Sequence, residues 1–313
     1  MATSLKRVVT LALLPLASCA SIGKVLSSIP NTPAPLSAGY RIVAPATVSE
    51  ASPAQLMERI TRADVLFFGE QHDDAETHRA EAELLEAIAR TGRPVILSLE
   101  MFERDVQPSL DDYLANRISE RDFLARSRPW PAYATDYRRL VELAKQHGWR
   151  VIAANVPRPI ASAVGRKGLA ALDTLTPAER SRSARENACP RDDYHLRFMD
   201  SMQSHAGGDS LPTATAERFY LAQCIKDETM AESIVTARLA ATREALVVHY
   251  TGAFHSDFSQ GTVARVKRRQ PGWNVVVVSA VPVADPLMAP IVYQSAKADF
   301  VIFTRKAPPS ATR

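Results

Sequence analysis

The sequence predicts an α/β fold: a mostly parallel β-sheet flanked by helices, with a smaller helical subdomain packed at the carboxyl edge of the sheet. First, short apolar runs such as 65–68 end at Gly or at polar residues, as strands buried on both faces do. Second, these runs alternate with helical segments, and a β-α-β order implies a parallel sheet with right-handed crossovers. Third, residues from about 160 to 242 have a mostly helical pattern and no convincing strand, which predicts the subdomain.

The elements of the predicted sheet can be placed from their own residues. After the first strand, Asp73 or Asp74 can N-cap a helix, and Glu76 suits the positive end of its dipole. Gly92 closes this helix, and Pro94 precedes the next strand. The later predicted strands are 95–99, 150–154, 246–250, 275–279 and 299–304, the last as an edge strand.

Composition and charge exclude one class of partner. The 313 residues are 46% hydrophobic and 23% charged, which is ordinary for a globular protein that buries a sizeable core. The net charge of +4 is small and spread along the chain, with residues 267–269 (KRR) as its tight basic cluster. Nucleic-acid binding needs a basic stripe or a recognisable module. We therefore expect no nucleic-acid partner.

The N-terminus has the pattern of a lipoprotein signal. Lys6 and Arg7 precede an apolar stretch at 8–17, which has the length of a signal-peptide core and is too short to span a bilayer. Residues 16–19 (LASC) resemble a bacterial lipobox, in which Cys19 is lipidated. The alternative is an ordinary secretory signal with an incidental cysteine. The predicted division is a signal peptide at 1–18, a lipid-anchored tether at 19–45 and a folded domain at 46–313.

The lipobox also predicts where the protein resides. Lipidation at Cys19 places the chain on the periplasmic face of a bacterial membrane, and Ala20 after it favours the outer membrane over inner-membrane retention. Two cysteines then remain, Cys189 and Cys224, and both a disulfide and two reduced thiols are open.

Polar side chains follow each predicted strand at the same edge of the sheet. Glu70 and His72 follow the first strand, and Glu100 follows the second. Because parallel strands end on one edge, where open α/β sheets bind ligands, these side chains are expected to meet. The other members are His78 in the first helix, Asn155 and Arg158 after the third strand, and His255 after the fourth. The alternative is that Gly69 makes a turn and both Glu70 and His72 face solvent.

A long helix over about 214–240 adds polar groups to this edge. The residues at helical spacing on its predicted inner face are Phe219, Gln223, Asp227, Met230 and Ile234. Burying an amide and a carboxylate without partners is costly, so we expect them to face a polar pocket or a ligand. In the alternative rotation, Tyr220, Cys224 and Ala231 face the core and Asp227 is solvated.

Histidines and carboxylates at one edge are the ligand types of a zinc, iron or manganese site, and also of a general acid–base pair. The candidate metal ligands, and the catalytic residues if the protein is a hydrolase, are Glu70, His72, Glu100 and His255. The sequence has no HExxH motif, no GxSxG motif and no Gly-rich phosphate loop. These absences weigh against the familiar metalloprotease, serine-hydrolase and nucleotide-binding classes.

Five separated motifs occur in an order that resembles the ChaN family of haem-binding lipoproteins. They are GEQHDDAETH, LEMFERD, NVPR, FYLAQCIKDETMAESI and TGAFHSDFSQG, and the resemblance spans about residues 45–305. The family is linked to iron acquisition and belongs with the Tiki/TraB and erythromycin-esterase-like proteins. The resemblance implies a parallel sheet with a smaller helical domain, haem as cofactor, and haem held at a homodimer interface.

The resemblance also implies roles for particular residues. The shared motif positions are Glu70, His72, Glu100, Arg104, Asn155, Arg158, Asp227 and His255, and His78 and Gln223 complete the predicted ligand pocket. The candidate axial haem ligands are Tyr194 and His205, in a helical stretch whose apolar walls would be Phe198, Met199 and Met202. Arg191 and Arg197 are candidate partners for the haem propionates.

The sequence thus predicts a lipid-anchored periplasmic haem-binding protein of iron or haem uptake, with the membrane as partner through its lipid anchor. The alternative is a metal-dependent hydrolase, a peptidase or an esterase, that uses the glutamates and histidines of the sheet edge and holds a divalent metal.

Overall fold

An eight-stranded sheet positions the predicted site in the computed structural model, which describes residues 1, 39–205, 211–291 and 296–306. The sheet and its helices belong to one compact unit, Pro33–Arg313. The predicted signal peptide, the lipidation site Cys19 and most of the predicted tether lie outside the described residues. Within the described part of the chain, no helix is long and apolar enough to cross a membrane.

The sheet is mixed but mostly parallel, which confirms the predicted α/β class. Its strands are β1 (Arg41–Ala44), β2 (Ser49–Glu50), β3 (Val65–Glu70), β4 (Val95–Glu103), β5 (Arg150–Asn155), β6 (Leu246–Gly252), β7 (Val275–Val283) and β8 (Phe300–Arg305). They lie in the order β2-β1-β8-β7-β3-β6-β4-β5. The strands from β8 to β5 pair in parallel, whereas β1 is antiparallel to both β8 and β2.

Helices cover both faces of this sheet and its carboxyl edge. They are α1 (Pro53–Thr61), α2 (Ala75–Ala89), α3 (Gln107–Leu114), α4 (Glu120–Ser127), α5 (Arg138–Gln146), α6 (Arg158–Lys167), α7 (Pro177–Arg180), α8 (Asp193–His205), α9 (Thr213–Leu239) and α10 (Gly261–Arg269). Asp74 is the N-cap of α2, since its carboxylate accepts the backbone N–H of Thr77.

Alternate residues of the central strands face opposite layers. Val65 and Phe67 of β3 pack with α9 and α10, whereas Leu66 and Phe68 pack with α1, α2 and α5. All four side chains are fully buried. A sheet covered on both faces explains why its strands read as continuous apolar runs. It leaves the carboxyl ends of the parallel strands as the place where polar side chains converge.

The amino-terminal border of the sheet differs from the prediction. Residues 41–44, assigned from sequence to the tether, form β1 and pair with β8. As a result β8 is not an edge strand, as predicted for 299–304, but lies between β1 and β7. A four-residue strand carries too little periodicity to be recognised alone, and its partner lies at the other end of the chain.

The second strand is longer than predicted because of an irregularity at the site. Leu99 of β4 pairs with Ala153 of β5, and the next pair is Glu103 with Asn155. Between these two pairs β4 advances by four residues and β5 by only two. This register shift forms a bulge in β4 that contains Glu100. Bulges re-aim side chains, and this one directs Glu100 towards the end of the neighbouring β6.

The helical segment at about 160–242 is present, and its longest helix joins two regions. The carboxyl half of α9 packs on the sheet face, and the amino half lies beside α6 and α8. Residues from both predicted stripes are buried: Tyr220, Cys224, Asp227, Met230, Ala231 and Ile234. Phe219 of the predicted inner face is instead 40% exposed. The alternative in which Asp227 is solvated is wrong.

Candidate functional site

Glu70 ends β3 beneath the loop that follows β6. A Cβ on Gly69 would lie 2.5 Å from Ser256 Oγ and 3.0 Å from Ala253 Cα, so only glycine permits this close approach. Glu70 is buried, and its Oε1 accepts hydrogen bonds from His72 Nδ1 and, at 2.8 Å, from the Tyr137 hydroxyl. Burial alone would raise the pKa of Glu70, but the hydrogen bond and charge of His72 lower it.

His72 lies in a slot between Gly252 and Trp130. A Cβ on Gly252 would lie 2.7 Å from His72 Nε2 and 3.8 Å from Glu100 Oε2. Trp130 packs edge-on against the imidazole, with ring centroids 4.8 Å apart. Burial opposes the charged form, but Glu70 and Glu100 raise the pKa of His72 above its ordinary value. The alternative in which both Glu70 and His72 face solvent is therefore wrong, although the His72 side chain is 46% exposed.

Glu100 is held by the end of β6. Its Oε2 accepts hydrogen bonds from Thr251 Oγ1 at 2.6 Å and from the Gly252 N–H at 2.8 Å. Its Oε1 lies 3.4 Å from His255 Nε2. Burial favours the neutral acid, yet the charge and hydrogen bond of His255 hold the pKa of Glu100 well below its usual range. The carboxylate form of Glu100 is therefore favoured despite its burial.

His255 joins Glu100 to a second buried carboxylate on α9. Asp227 Oδ1 lies 2.7 Å from His255 Nδ1, and Asp227 also accepts hydrogen bonds from the hydroxyls of Thr262 and Tyr194, both at 2.8 Å. Burial opposes charge on the imidazole, but the two carboxylates raise the pKa of His255 to about 9. Glu100, His255, Asp227 and Tyr194 form a continuous chain, which we call the Asp227 network.

His78 points away from the solvent side of the edge. Its Nδ1 lies 3.0 Å from Glu81 Oε2 and 3.6 Å from Glu70 Oε2. Burial and the negative charge of Glu70 raise the pKa of Glu81 well above its usual value. Glu81 and Tyr137 are site residues that sequence reasoning missed. The spacing of His78 and Glu81, three residues apart on a helix, is a signal that can indicate the first of them.

Other predicted pocket residues have supporting positions. Asn155 donates to the Glu100 carbonyl at 3.1 Å, which holds the ends of β4 and β5 together. Gln223 donates to the Tyr194 hydroxyl at 3.1 Å and lies 3.4 Å from the His255 ring nitrogens. Arg104 does not point into the site. Its guanidinium instead binds α9 through Ser233, Glu232 and the carbonyl of Thr229.

The candidate haem ligands have different environments. Tyr194 is buried, and its hydroxyl is committed to Asp227 and Gln223. Burial and the charge of Asp227 raise the pKa of Tyr194 well above its ordinary value, which disfavours the tyrosinate that binds iron. His205 ends α8, and its side chain lies outside the described residues.

The predicted haem walls form a small core of their own. This core contains Tyr194, Phe198, Met199, Met202, Tyr220, Phe254, Cys189 and Cys224. Both cysteines are free thiols, which decides the open question of a disulfide in this structure. Arg197 packs 4.2 Å above the Phe254 ring and donates to its carbonyl. Arg191 is exposed and pairs with Glu217 at 3.3 Å.

A groove opens beside Glu100, on the side of the edge occupied by α6. We call it the Trp130 groove, a cavity of about 390 Å³ that shares four lining residues with a neighbouring cavity of about 560 Å³. The shared residues are Glu103, Trp130, Arg158 and Ser162. Phe219, Arg166 and Lys226 line the first cavity as well. Arg158, a predicted pocket residue, lines the wall of this groove.

Residues 56–266 match the family described as haem-binding uptake, Tiki superfamily, ChaN, and the chain belongs to this family. The fold resembles that of ChaN of Campylobacter jejuni, in a structure described as cofacial haem binding, with a TM-score of 0.64, 16% identity, and coverage of 84% of this chain and 96% of that chain. A mutant of the erythromycin esterase EreC in its open conformation has a TM-score of 0.41 at 12% identity, covering 86% of this chain and 83% of that chain.

The chain is also similar to a plant protein. It is 25% identical over 244 residues to Protein RETICULATA-RELATED 5, chloroplastic, of Arabidopsis thaliana. The match covers 72% of this chain and 32% of that protein, so the chain spans about a third of the relative's length.

Proposed function

We propose that this protein binds haem in the Trp130 groove and serves haem or iron uptake. The observation that carries the proposal is the combination of aromatic walls and unpaired cations in one cavity. Trp130 and Phe219 offer aromatic surface to a planar porphyrin. Arg158, Arg166 and Lys226 line the same cavity and match the two propionates of haem.

The charge balance of the groove supports an anionic ligand. Across the described ranges, Arg158, Arg166 and Lys226 make no ion pair, whereas both acidic lining residues are already neutralised. Glu103 pairs with Arg128 at 2.9 Å, and Glu100 lies against His255. The groove therefore has a surplus of positive charge, which attracts carboxylates.

The exposed position of Phe219 supports a haem shared between two copies of the chain. A porphyrin lying on this side chain would remain partly open to solvent, and a second protomer would cover it. The structure of ChaN from Campylobacter jejuni, described as cofacial haem binding, has the same fold. We therefore include a homodimer with haem at the interface in the proposal.

Anchoring and location complete the proposal. The lipobox at residues 16–19 supports lipidation at Cys19 and residence on the periplasmic face of the outer membrane. The described residues that line the Trp130 groove include no histidine, tyrosine, cysteine or methionine, so the axial ligand must come from outside this lining. We retain His205 as that ligand, and Tyr194 only if its hydroxyl leaves Asp227. Replacing each, as Tyr194→Phe and His205→Ala, tests both: an unchanged haem spectrum in the two variants would assign the iron to another residue.

A visible-absorption titration of the purified chain with haemin tests the binding function. We expect a saturable Soret shift, and affinity weaker by about 10-fold or more in Arg158→Gln, because a charge-assisted hydrogen bond is lost. Arg121→Gln on α4 is the matched control, since Arg121 is also exposed and lies outside the groove. Absence of a saturable shift in the unmodified chain would refute haem binding. An equal loss of haem affinity in both variants would refute the Trp130 groove as the binding site.

A second candidate function, metal-dependent hydrolysis of a peptide or an ester, is favoured by the position of His72. Its Nδ1 is bound to Glu70, while the ring is half-exposed beside Glu100, which suits a general base. An ester and peptide panel with added zinc or manganese tests this candidate. Hydrolysis that Glu70→Gln and His255→Ala both abolish would support it, and hydrolysis that survives both changes would exclude this site as its source.

A further inference from the structure

Three acceptor side chains meet in a buried space beneath the sheet edge. They are Glu70 of β3 and His78 and Glu81 of α2, which are 1%, 5% and 0% exposed. One potential ligand atom from each lies within 4.8 Å of the others. None of the three residues of this group, which we call the Glu81 cluster, lines the Trp130 groove.

The hydrogen bonds of His78 determine which of its nitrogens faces the carboxylates. Nε2 lies 3.2 Å from the His72 carbonyl oxygen and 3.5 Å from Asp136 Oδ2, and both of these atoms are acceptors. Nδ1 also faces acceptors, Glu81 Oε2 at 3.0 Å and Glu70 Oε2 at 3.6 Å, and a neutral imidazole carries only one ring proton. A metal bound at Nδ1 would replace a proton there and leave the ring proton on Nε2, which is how a histidine ligand is oriented by its outer partners.

The carboxylates also leave lone pairs unused. In the described part of the chain, Glu70 Oε2 and Glu81 Oε1 are buried atoms without a hydrogen-bond donor. Buried carboxylates that face one another are unfavourable unless a proton or a metal cation lies between them. Because the pKa of Glu81 is raised, a metal here would take the place of a proton. The opposite oxygen of Glu70 is held by Tyr137, and the Tyr250 hydroxyl binds the Glu81 backbone carbonyl at 3.0 Å. Tyr137 and Tyr250 therefore help to hold Glu70 and the backbone of Glu81 in place.

We propose that Glu70, His78 and Glu81 bind a divalent transition metal of the zinc type. In a tetrahedral site with bonds of about 2.0–2.1 Å, ligand atoms are about 3.3 Å apart. The separations of His78 Nδ1 from Glu81 Oε2 and from Glu70 Oε2, 3.0 and 3.6 Å, lie on either side of this value. One imidazole nitrogen and two carboxylates suit zinc, manganese or iron, whereas calcium takes six to eight oxygens.

The set predicted from sequence already uses one nitrogen of each histidine and one oxygen of Glu100 in hydrogen bonds, which leaves the Nε2 atoms of His72 and His255 as its remaining nitrogen donors. His72 Nδ1 is bound to Glu70, and His255 Nδ1 is bound to Asp227. Glu100 Oε2 already accepts two hydrogen bonds. A metal in the Glu81 cluster breaks none of these contacts. It would hold Glu70 in place and, through Glu70 Oε1, the orientation of His72.

Zinc binding to the chelator-treated full chain, measured without haem by equilibrium dialysis and elemental analysis, tests the proposal. We expect one equivalent to bind and to raise the thermal unfolding temperature. Glu81→Gln and His78→Gln are each expected to weaken binding by more than about 10-fold. Glu86→Gln is the matched control on α2, since Glu86 forms a surface pair with Arg139, and it should bind as the unmodified chain does.

Several results would overturn the proposal. A chain that binds no zinc, or a Glu81→Gln variant that keeps full affinity, would show that a proton neutralises the cluster. If a variant does not fold, zinc anomalous scattering from crystals of the unmodified chain decides the matter. A peak bonded to Glu70, His78 and Glu81 supports the site, and a peak between His72 and His255 refutes it. None of these measurements depends on haem binding.

Discussion

His72 and Gly252 are in direct contact, and this contact leaves no room for a side chain at residue 252. A Cβ there would lie 2.7 Å from His72 Nε2 and 2.9 Å from Cε1. The backbone of Gly252 has φ −54° and ψ 136°, which any residue adopts. The need for glycine is therefore steric, and it joins the ends of β3 and β6 at the site.

We expect Gly252→Ala to displace the His72 ring and to lower the free energy of unfolding by about 1–3 kcal/mol, the usual cost of overpacking. Denaturant unfolding and the NMR titration of His72 measure the two effects. Gly272→Ala is the control, because nothing lies within 4 Å of a Cβ built there. An unchanged His72 titration in Gly252→Ala would mean that the imidazole does not occupy this slot.

Asp227→Asn should destabilise the fold by about 3 kcal/mol, since it removes one of the two carboxylates that stabilise the charge of a buried histidine. Asp227 is fully buried and binds His255, Tyr194 and Thr262. A double-mutant cycle with His255→Gln, followed by denaturant unfolding, measures the coupling between the two residues. If the two losses are additive, the ion pair does not exist in solution.

The stability of the protein should fall as the pH rises from neutral to alkaline. Glu100 and Asp227 raise the pKa of His255 to about 9 from an ordinary value of 6.5. A raised folded-state pKa contributes stability that is fully present below about pH 6.5 and is lost as the pH rises through about 9. The full effect of His255 is on the order of 3 kcal/mol.

Unfolding free energies measured between pH 6 and 10 check this dependence, with His255→Gln as the comparison. We expect a smaller loss of stability over that range in His255→Gln, because the titrating group is absent. Parallel pH profiles for the two proteins would show that His255 is not charged in the folded state.

Arg104→Gln is expected to lower stability by about 2 kcal/mol, because hydrogen bonds to a charged group are lost. The guanidinium joins the end of β4 to α9 through Ser233, Glu232 and Thr229. Haem affinity should not change, since Arg104 does not line the Trp130 groove. If Arg104→Gln weakens haem binding and leaves stability unaltered, Arg104 belongs to the ligand pocket, as the sequence predicted.

The fold could be predicted largely because strong local signals agree along the chain. The apolar runs before Glu70, Glu100, Asn155 and His255 are buried strands, and their polar residues meet at one edge. The short β1 could not be found in this way, since its pairing with β8 joins distant parts of the chain. The bulge that orients Glu100 likewise cannot be predicted from sequence, because it depends on the register between β4 and β5.

The sequence by itself determined the α/β class, the family resemblance and the set of histidines and carboxylates at the sheet edge, because these depend on residue type and period. Only the tertiary structure decided which of these side chains bind one another and which bind elsewhere. Tyr194 binds Asp227, Arg104 binds α9, and Glu81 joins His78 in a separate cluster. Pairing among buried charges depends on distances of a few ångströms between side chains from different elements, which no one-dimensional pattern records.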